Sequence, residues 1–281
     1  MATKRYNSAM SVKYRVWKVR RDGVSQRYRV APSREYGRAI ESVVVKQLQH
    51  ALETGRPPEI SPASNDGLFR AYVNALERKL ELQGDTVADQ FQLLTHLEPY
   101  LAHNLPEAHR LIVRLATEAP QRKLRGIAME MCKRSVYETP SLLGEIAMRS
   151  PDRWDIDMAL RNLREYIYDG LRYLYDTLFQ GRKLNVDKSK FERSLVKGID
   201  VLLDGLNGFE GKRQIPELTL SKSVAWMRDN IGDILELPLT QTVRRKMERT
   251  MQAIAKRDDL DDQVRHDAVG VAREIRKQYE L

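Results

Sequence analysis

The chain has 281 residues, 42% of them hydrophobic and 31% charged, with a formal net charge of +9; that length can bury a sizeable core in one large helical domain or two smaller ones. The single cysteine, Cys132, excludes an internal disulfide framework and any cysteine-rich zinc module. The polar, basic stretch from Met1 to Met10 has no apolar core of about 7–15 residues of the secretory kind, and no run approaches the roughly 20 apolar residues of a membrane span, so a cytoplasmic chain that does not enter a membrane is expected.

The charge is concentrated at one end. Residues 1–40 hold eleven Lys and Arg against Asp22 and Glu35, while the remaining 241 residues hold 37 basic and 37 acidic side chains. The whole surplus of +9 therefore belongs to the first forty residues. A localised positive segment of this kind is the electrostatic footprint of a polyanion partner, although a solubilising basic tail has the same composition.

Residues 12–30, from Val12 through Asp22-Gly23 to Val30, are the one convincing strand signal. Two runs rich in Val, Tyr and Trp flank an Asp-Gly pair, the dipeptide favoured in a two-residue type I′ turn. Such a loop sets Arg21 opposite Val24, Val19 opposite Gln26, Trp17 opposite Tyr28 and Arg15 opposite Val30. Alternation then gathers Trp17, Val19, Tyr28 and Val30 on one face, and Lys18, Arg20, Arg27 and Arg29 with Tyr14 and Val16 on the other. An isolated hairpin is marginal in water, so the aromatic face is expected to pack on a helical body and leave the basic face outward.

From Ser33 the pattern turns helical. Tyr36, Ile40, Val44 and Leu48 repeat at i, i+4 spacing until Gly55, a fitting residue to follow a helix C-terminus. Residues 56–65 contain Pro57, Pro58 and Pro62 and read as a linker or loop between a unit over 1–55 and an all-helical domain over 66–281. A run from Leu68 to Leu80 ends at Gly84, and a further helix starts near Thr86 and meets Pro99. Downstream, helices are predicted at about 106–118, 121–135, 140–149, 154–180, 188–206, 220–231, 240–257 and 262–279, with Pro140 in the first turn after Thr139. The expected fold is mainly α: an N-terminal β-hairpin followed by about ten to eleven helices, in a multi-helix bundle or a stack.

The last two helices are related to each other. Val243-Arg244-Arg245-Lys246-Met247 and Ile254 align, 21 residues apart, with Val264-Arg265-His266-Asp267-Ala268 and Ile275. Asp262-Gln263-Val264-Arg265-His266-Asp267-Ala268 resembles the Asp-x-Val-Arg-x-x-Ala pattern that opens the inner helix of HEAT repeats, over a stretch of about 40 residues. Upstream, only Arg122-Lys123-Leu124-Arg125 faintly echoes it. A HEAT-like α-solenoid and an irregular bundle are thus both compatible with the pattern.

The basic hairpin face is the leading binding candidate. Lys13, Arg15, Lys18, Arg20, Arg21, Arg27 and Arg29 supply phosphate contacts, Tyr14 can stack on a base or sugar, and a two-stranded ribbon fits a DNA major groove. Residues 154–180 are dense in aromatics, from Trp154 to Phe179, with an apolar stripe from Leu160 to Leu178 that fits a central core helix. A second stripe on it, Arg161, Arg164, Tyr168, Arg172 and Tyr175, interleaves guanidinium and phenol groups that can continue a nucleic-acid surface. Gly170 in mid-helix costs about 1 kcal/mol relative to Ala and marks a close helix crossing.

Other chemistry is weakly signalled. His96, His103 and His109 lack metal-ligand spacing, and Asp258, Asp259, Asp261 and Asp262 match no calcium loop but suit the cap of the following helix. No metal or cofactor is therefore expected. Phosphate-binding, dinucleotide-binding and nucleophile-elbow motifs are missing, Glu77-Arg78-Lys79 lies on a helix, and Cys132 reads as a small buried hydrophobe. The sequence points to a non-enzymatic nucleic-acid-binding protein, DNA before RNA. The alternatives are a helical scaffold that uses the hairpin for protein docking or homo-oligomerisation, and an all-helical enzyme with a site between helices.

Overall fold

In the computed structural model the described residues are the strand backbones over 15–21 and 24–30, then Leu94, Leu97 and Leu101, and residues 106–175, 186–211 and 214–279. The chain divides into two compact units, Met1–Leu111 and Ile112–Leu281. The helix predicted after Ser33, the proline-rich stretch 56–65 and the run from Leu68 to Gly84 lie outside the described residues.

In the first unit, β1 (Arg15–Arg21) and β2 (Val24–Val30) pair antiparallel, with Arg15 opposite Val30, Trp17 opposite Tyr28 and Arg21 opposite Val24. Further on, Leu94, Leu97 and Leu101 are fully buried. The Leu97 amide donates to the Leu94 carbonyl at 2.8 Å and the Leu101 amide to the Leu97 carbonyl at 3.0 Å.

Residues 106–279 contain eight α-helices of ten residues or more and, among the described residues, no strand: α1 (Pro106–Glu118), α2 (Arg122–Met131), α3 (Thr139–Arg149), α4 (Arg153–Tyr175), α5 (Lys188–Leu206), α6 (Glu217–Glu236), α7 (Gln241–Ala255) and α8 (Asp262–Tyr279). Their ends follow local chemistry. The Asp187 carboxylate accepts the Lys190 amide at 3.1 Å, Thr240 Oγ1 the Val243 amide at 3.3 Å and Asp261 the Gln263 amide at 2.7 Å, each satisfying an amide that a helix start leaves without a partner. Past Gly208–Gly211, a single helical turn, the chain passes through Pro216 into α6.

Three predicted helices are reshaped. The run 121–135 is divided: α2 ends at Met131 and Cys132–Arg134 tightens into a 3-10 turn. Thr139, expected to sit before the helix, is its first residue; its hydroxyl donates back to the carbonyls of Cys132 and Ser135, both at 2.9 Å, and so closes that turn. The helix predicted over 220–231 runs from Glu217 to Glu236, because Thr219 at one end and Ile234 and Leu235 at the other are buried, and it stops where Leu237, extended at ψ 152, precedes Pro238. For 154–180, the described part ends at Tyr175.

In the second unit the helices stack in two rows. Helices α2, α4, α6 and α8 follow one another side by side, as do α3, α5 and α7, and the rows meet through α3–α4, α4–α5 and α7–α8. Each helix from α2 to α6 thus packs on the second one after it, and neighbours in a row run parallel. Asp157 accepts from Thr219 and Arg164 donates to Ser223, in the same order along α4 and α6, while Arg228 meets Asp267 and the Leu235 carbonyl meets Tyr279 in the same order along α6 and α8. Helices α4 and α5 run antiparallel, since Gly170 faces Leu195 and Gly205 faces Leu160.

Leucines, isoleucines and alanines fill the seam between the rows, including Ala159, Leu163, Ile167, Ile199, Leu202, Val224 and Met247, all with no exposed surface. At about 1.5–3 kcal/mol for each large side chain withdrawn from water, this seam is the main stabilising term. Along the α2–α4–α6–α8 row, each junction also carries one arginine reaching forward. Arg125 reaches Asp155 at 2.9 Å, Arg164 reaches Ser223 at 2.9 Å, and Arg228 reaches Asp267 at 2.9 Å.

Candidate nucleic-acid interface

Arg15, Lys18, Arg20, Arg21, Arg27 and Arg29 sit on the paired strands, where Lys18 is opposite Arg27 and Val16 opposite Arg29. Their side chains, and Lys13 and Tyr14 altogether, lie outside the described residues. So do His96, His103 and Glu77-Arg78-Lys79.

The stripe on α4 is fully described, and its members have different surroundings. Arg161 is exposed and holds Glu165 at 2.9 Å. Tyr168 is 40% exposed, and the Arg172 guanidinium lies over its ring at 5.6 Å. Tyr175 is half-buried, and burial raises its phenol above the ordinary value, with Glu192, Glu236 and Asp233 adding to the shift. Arg164 is buried, donating to Ser223 at 2.9 Å and to the Thr219 carbonyl at 3.5 Å. Burial lowers its pKa, and the nearby Asp157 partly restores it. The structure thus keeps Arg161, Tyr168 and Arg172 at the surface and commits Arg164 to the α4–α6 junction.

The reason lies in helix geometry. At 3.6 residues per turn, Arg164 sits about 60° round the helix from Arg161, at one edge of the stripe. Asp157, near that same edge, bonds Thr219 Oγ1 at 2.6 Å. Helix α6 covers that edge, whereas Tyr168 and Arg172 straddle the Arg161 line and stay in water.

The remaining charged groups are mostly structural. Arg125 Nε donates to both Asp155 oxygens at 2.9 and 3.0 Å, its Nη1 to the Ala119 carbonyl at 2.9 Å and its Nη2 to Asp152 at 2.8 Å. Ser150 Oγ donates to Asp155 Oδ2 at 2.5 Å. The Trp154 amide, with the Arg122 and Arg125 charges, holds the Asp152 carboxyl below the usual carboxylate value. In the acidic turn, Arg257 holds Asp259 at 2.6 Å and Arg265 pairs with Asp262 and, at 3.6 Å, with Asp258. Cys132 is fully buried and burial pushes its thiol up. Among the described residues no group of three or more His, Cys, Asp or Glu is placed to hold a metal ion, and no helix is long and apolar enough to cross a membrane.

A second basic surface emerges on α5 and α7. Lys190, Arg193, Lys197, Arg245 and Arg249 are all exposed. Lys246 lies between the two helices, 2.6 Å from Asp200 and 2.7 Å from Asp204, and Asn207 bonds Thr250 at 2.8 Å. Sequence reasoning met Arg245 only as part of a repeat. The available signal was its i, i+4 spacing to Arg249, but a charge pair at that spacing fits any solvated face.

No protein-family model matches the chain, and no curated protein matches it.

Proposed function

We propose that the protein is a non-enzymatic nucleic-acid-binding protein, DNA before RNA, that grips phosphates with the basic face of its N-terminal hairpin and carries a HEAT-like α-solenoid as its body. The observation that carries this reading is charge segregation: eleven cations against two anions in residues 1–40, and exact balance of 37 against 37 in the rest. Such an array binds mainly through counterion release, so it supplies affinity with little sequence information. The two-row stack supports the second half of the reading, because helices that pack on the second neighbour build an extended surface suited to a long ligand.

A salt titration of binding to labelled duplex DNA, single-stranded DNA and RNA tests the first half. The triple variant Arg20→Ala, Arg27→Ala, Arg29→Ala is expected to weaken binding about equally for all sequences and to reduce the salt slope by about 0.9 per lost contact on duplex DNA. A chain beginning at Ser33 is expected to lose most of the affinity. Unchanged affinity in both would remove the hairpin from the interface. Pairing of the hairpin edge with a second copy, seen as a dimer that Ser33 truncation abolishes, would favour the protein-docking reading instead.

A further inference from the structure

We infer that the α5–α7 face is a second phosphate-contacting surface, formed by Arg193, Lys197, Arg245 and Arg249; the inference rests on the nucleic-acid reading above. Four observations carry it. First, the two helices are neighbours in one row and run parallel, because Asp200 and Asp204 flank Lys246 while Asn207 meets Thr250. Second, that register sets the order along the face: Arg193 and Lys197 one turn apart on α5, then Arg245 and Arg249 one turn apart on α7. With a rise of 1.5 Å per residue, the two cations on each helix are about 6 Å apart and the four extend over about 18 Å along the helix axes.

Third, the nearby carboxylates are already engaged. Lys246 is shared by Asp200 and Asp204, and Glu248 is held by Arg276 at 2.5 Å and Gln252 at 2.7 Å. Lys197 has only Glu138, at a loose 3.8 Å, and the Arg193 guanidinium donates to the Ser189 carbonyl at 3.2 Å rather than to an acid. Fourth, Arg245 and Arg249 are exposed and have no carboxylate partner among the described residues. With Lys246 offsetting part of the Asp200 and Asp204 charge, the four exposed cations leave this face a positive surplus, the complement of a polyanion.

The spacing favours a polymer over a small anion. The cations do not converge on one point, and 18 Å of track faces about five phosphates of one strand at 3.4 Å per phosphate. Arginine forks at three of the four positions suit phosphate oxygens.

The test is a salt titration with the full-length chain and labelled duplex DNA, comparing three triple variants. Arg193→Ala, Arg245→Ala, Arg249→Ala removes the proposed track. Lys222→Ala, Arg273→Ala, Lys277→Ala removes the same charge from exposed positions on α6 and α8. Arg20→Ala, Arg27→Ala, Arg29→Ala removes the hairpin contacts. The track variant is expected to bind about tenfold or more weakly at 0.1 M salt and to lose about 2–3 units of salt slope, with the α6 and α8 variant close to the parent. Equal behaviour of the track variant and the α6 and α8 variant, with the hairpin variant weakened, overturns the track and leaves the hairpin reading in place. A weakened track variant beside an unaffected hairpin variant supports the track and overturns the hairpin contacts. No binding of the intact chain to DNA or RNA, or displacement of DNA by polyglutamate at equal charge, overturns both.

Discussion

Asp155 has 1% of its surface exposed and receives three hydrogen bonds, two from Arg125 Nε and one from Ser150. Removing it leaves the buried Arg125 guanidinium without its main counter-charge, so Asp155→Ala is expected to cost about 3–5 kcal/mol, read as a lowered urea midpoint. Its neighbour Asp152 adds a pH dependence. Its folded pKa is depressed, first by the Trp154 amide, so the ionised form is favoured in the folded state; that stability is complete above the unfolded value of about 3.9 and is lost as pH falls through the lower folded value. Urea midpoints for Asp152→Asn, followed from pH 7 to pH 2.5, are expected to fall less steeply on the acid side than those of the parent, and parallel curves would contradict this. Cys132 was legible in the sequence as a buried hydrophobe because it falls in an amphipathic run, and it is buried, although in the 3-10 turn rather than in a helix. Arg164 was not legible as a buried group, because periodicity gives a residue's direction on a helix but not which neighbouring helix will cover it.

Two glycines in helix interiors make the same point for elements. Gly170 was readable as a crossing point, and a Cβ there would lie 2.4 Å from Leu195 Cδ2 and 3.2 Å from its Cγ. Leu195 is fully buried and has little room to retreat. Gly170→Ala gains about 1 kcal/mol of helix propensity but overpacks the α4–α5 contact by about 1–3 kcal/mol, so a net loss is expected. At Gly232 on α6 a Cβ meets nothing within 4 Å, and Gly232→Ala is expected to gain about 1 kcal/mol. Thermal unfolding of the two variants should therefore shift in opposite directions; a stabilised Gly170→Ala would mean that α4 and α5 do not cross there. Helix positions were legible because apolar spacing is a local signal; the caps Asp187 and Thr240 emerged only in the structure. The split at Cys132–Arg134 and the extra length of α6 were not legible, because the first depends on the Thr139 hydroxyl turning back to the Cys132 and Ser135 carbonyls, which apolar spacing does not register, and the second on the burial of Ile234 and Leu235 by the tertiary fold.

At the scale of the second unit, the sequence held one trace of a repeat, the 21-residue offset between α7 and α8. The structure shows what that offset preserves: Val243, Met247, Thr250, Met251 and Ile254 are buried on α7, and the equivalent Val264, Ala268, Val271, Ala272 and Ile275 are buried on α8. The upstream helices stack in the same rows without a matching sequence pattern, since a row needs only an apolar seam and tolerates many ways of filling it. This architecture makes a prediction that separates a solenoid from an irregular bundle. In a stack whose members touch only near neighbours, stability is a sum of local terms and does not spread evenly through the chain. Asp267 is 5% exposed and takes Arg228 at 2.9 Å and Gln263 at 2.8 Å, so Asp267→Ala cuts the α6–α8 junction. Native-state hydrogen exchange of this variant is expected to quicken about tenfold or more at the buried amides of α7 and α8, while amides of α3 and α4 such as those of Ile146 and Leu163 change little. An equal loss of protection in α3, α4, α7 and α8 would show that these helices open together, as one bundle core does, and would overturn the solenoid reading of the body without touching the charge argument for the hairpin.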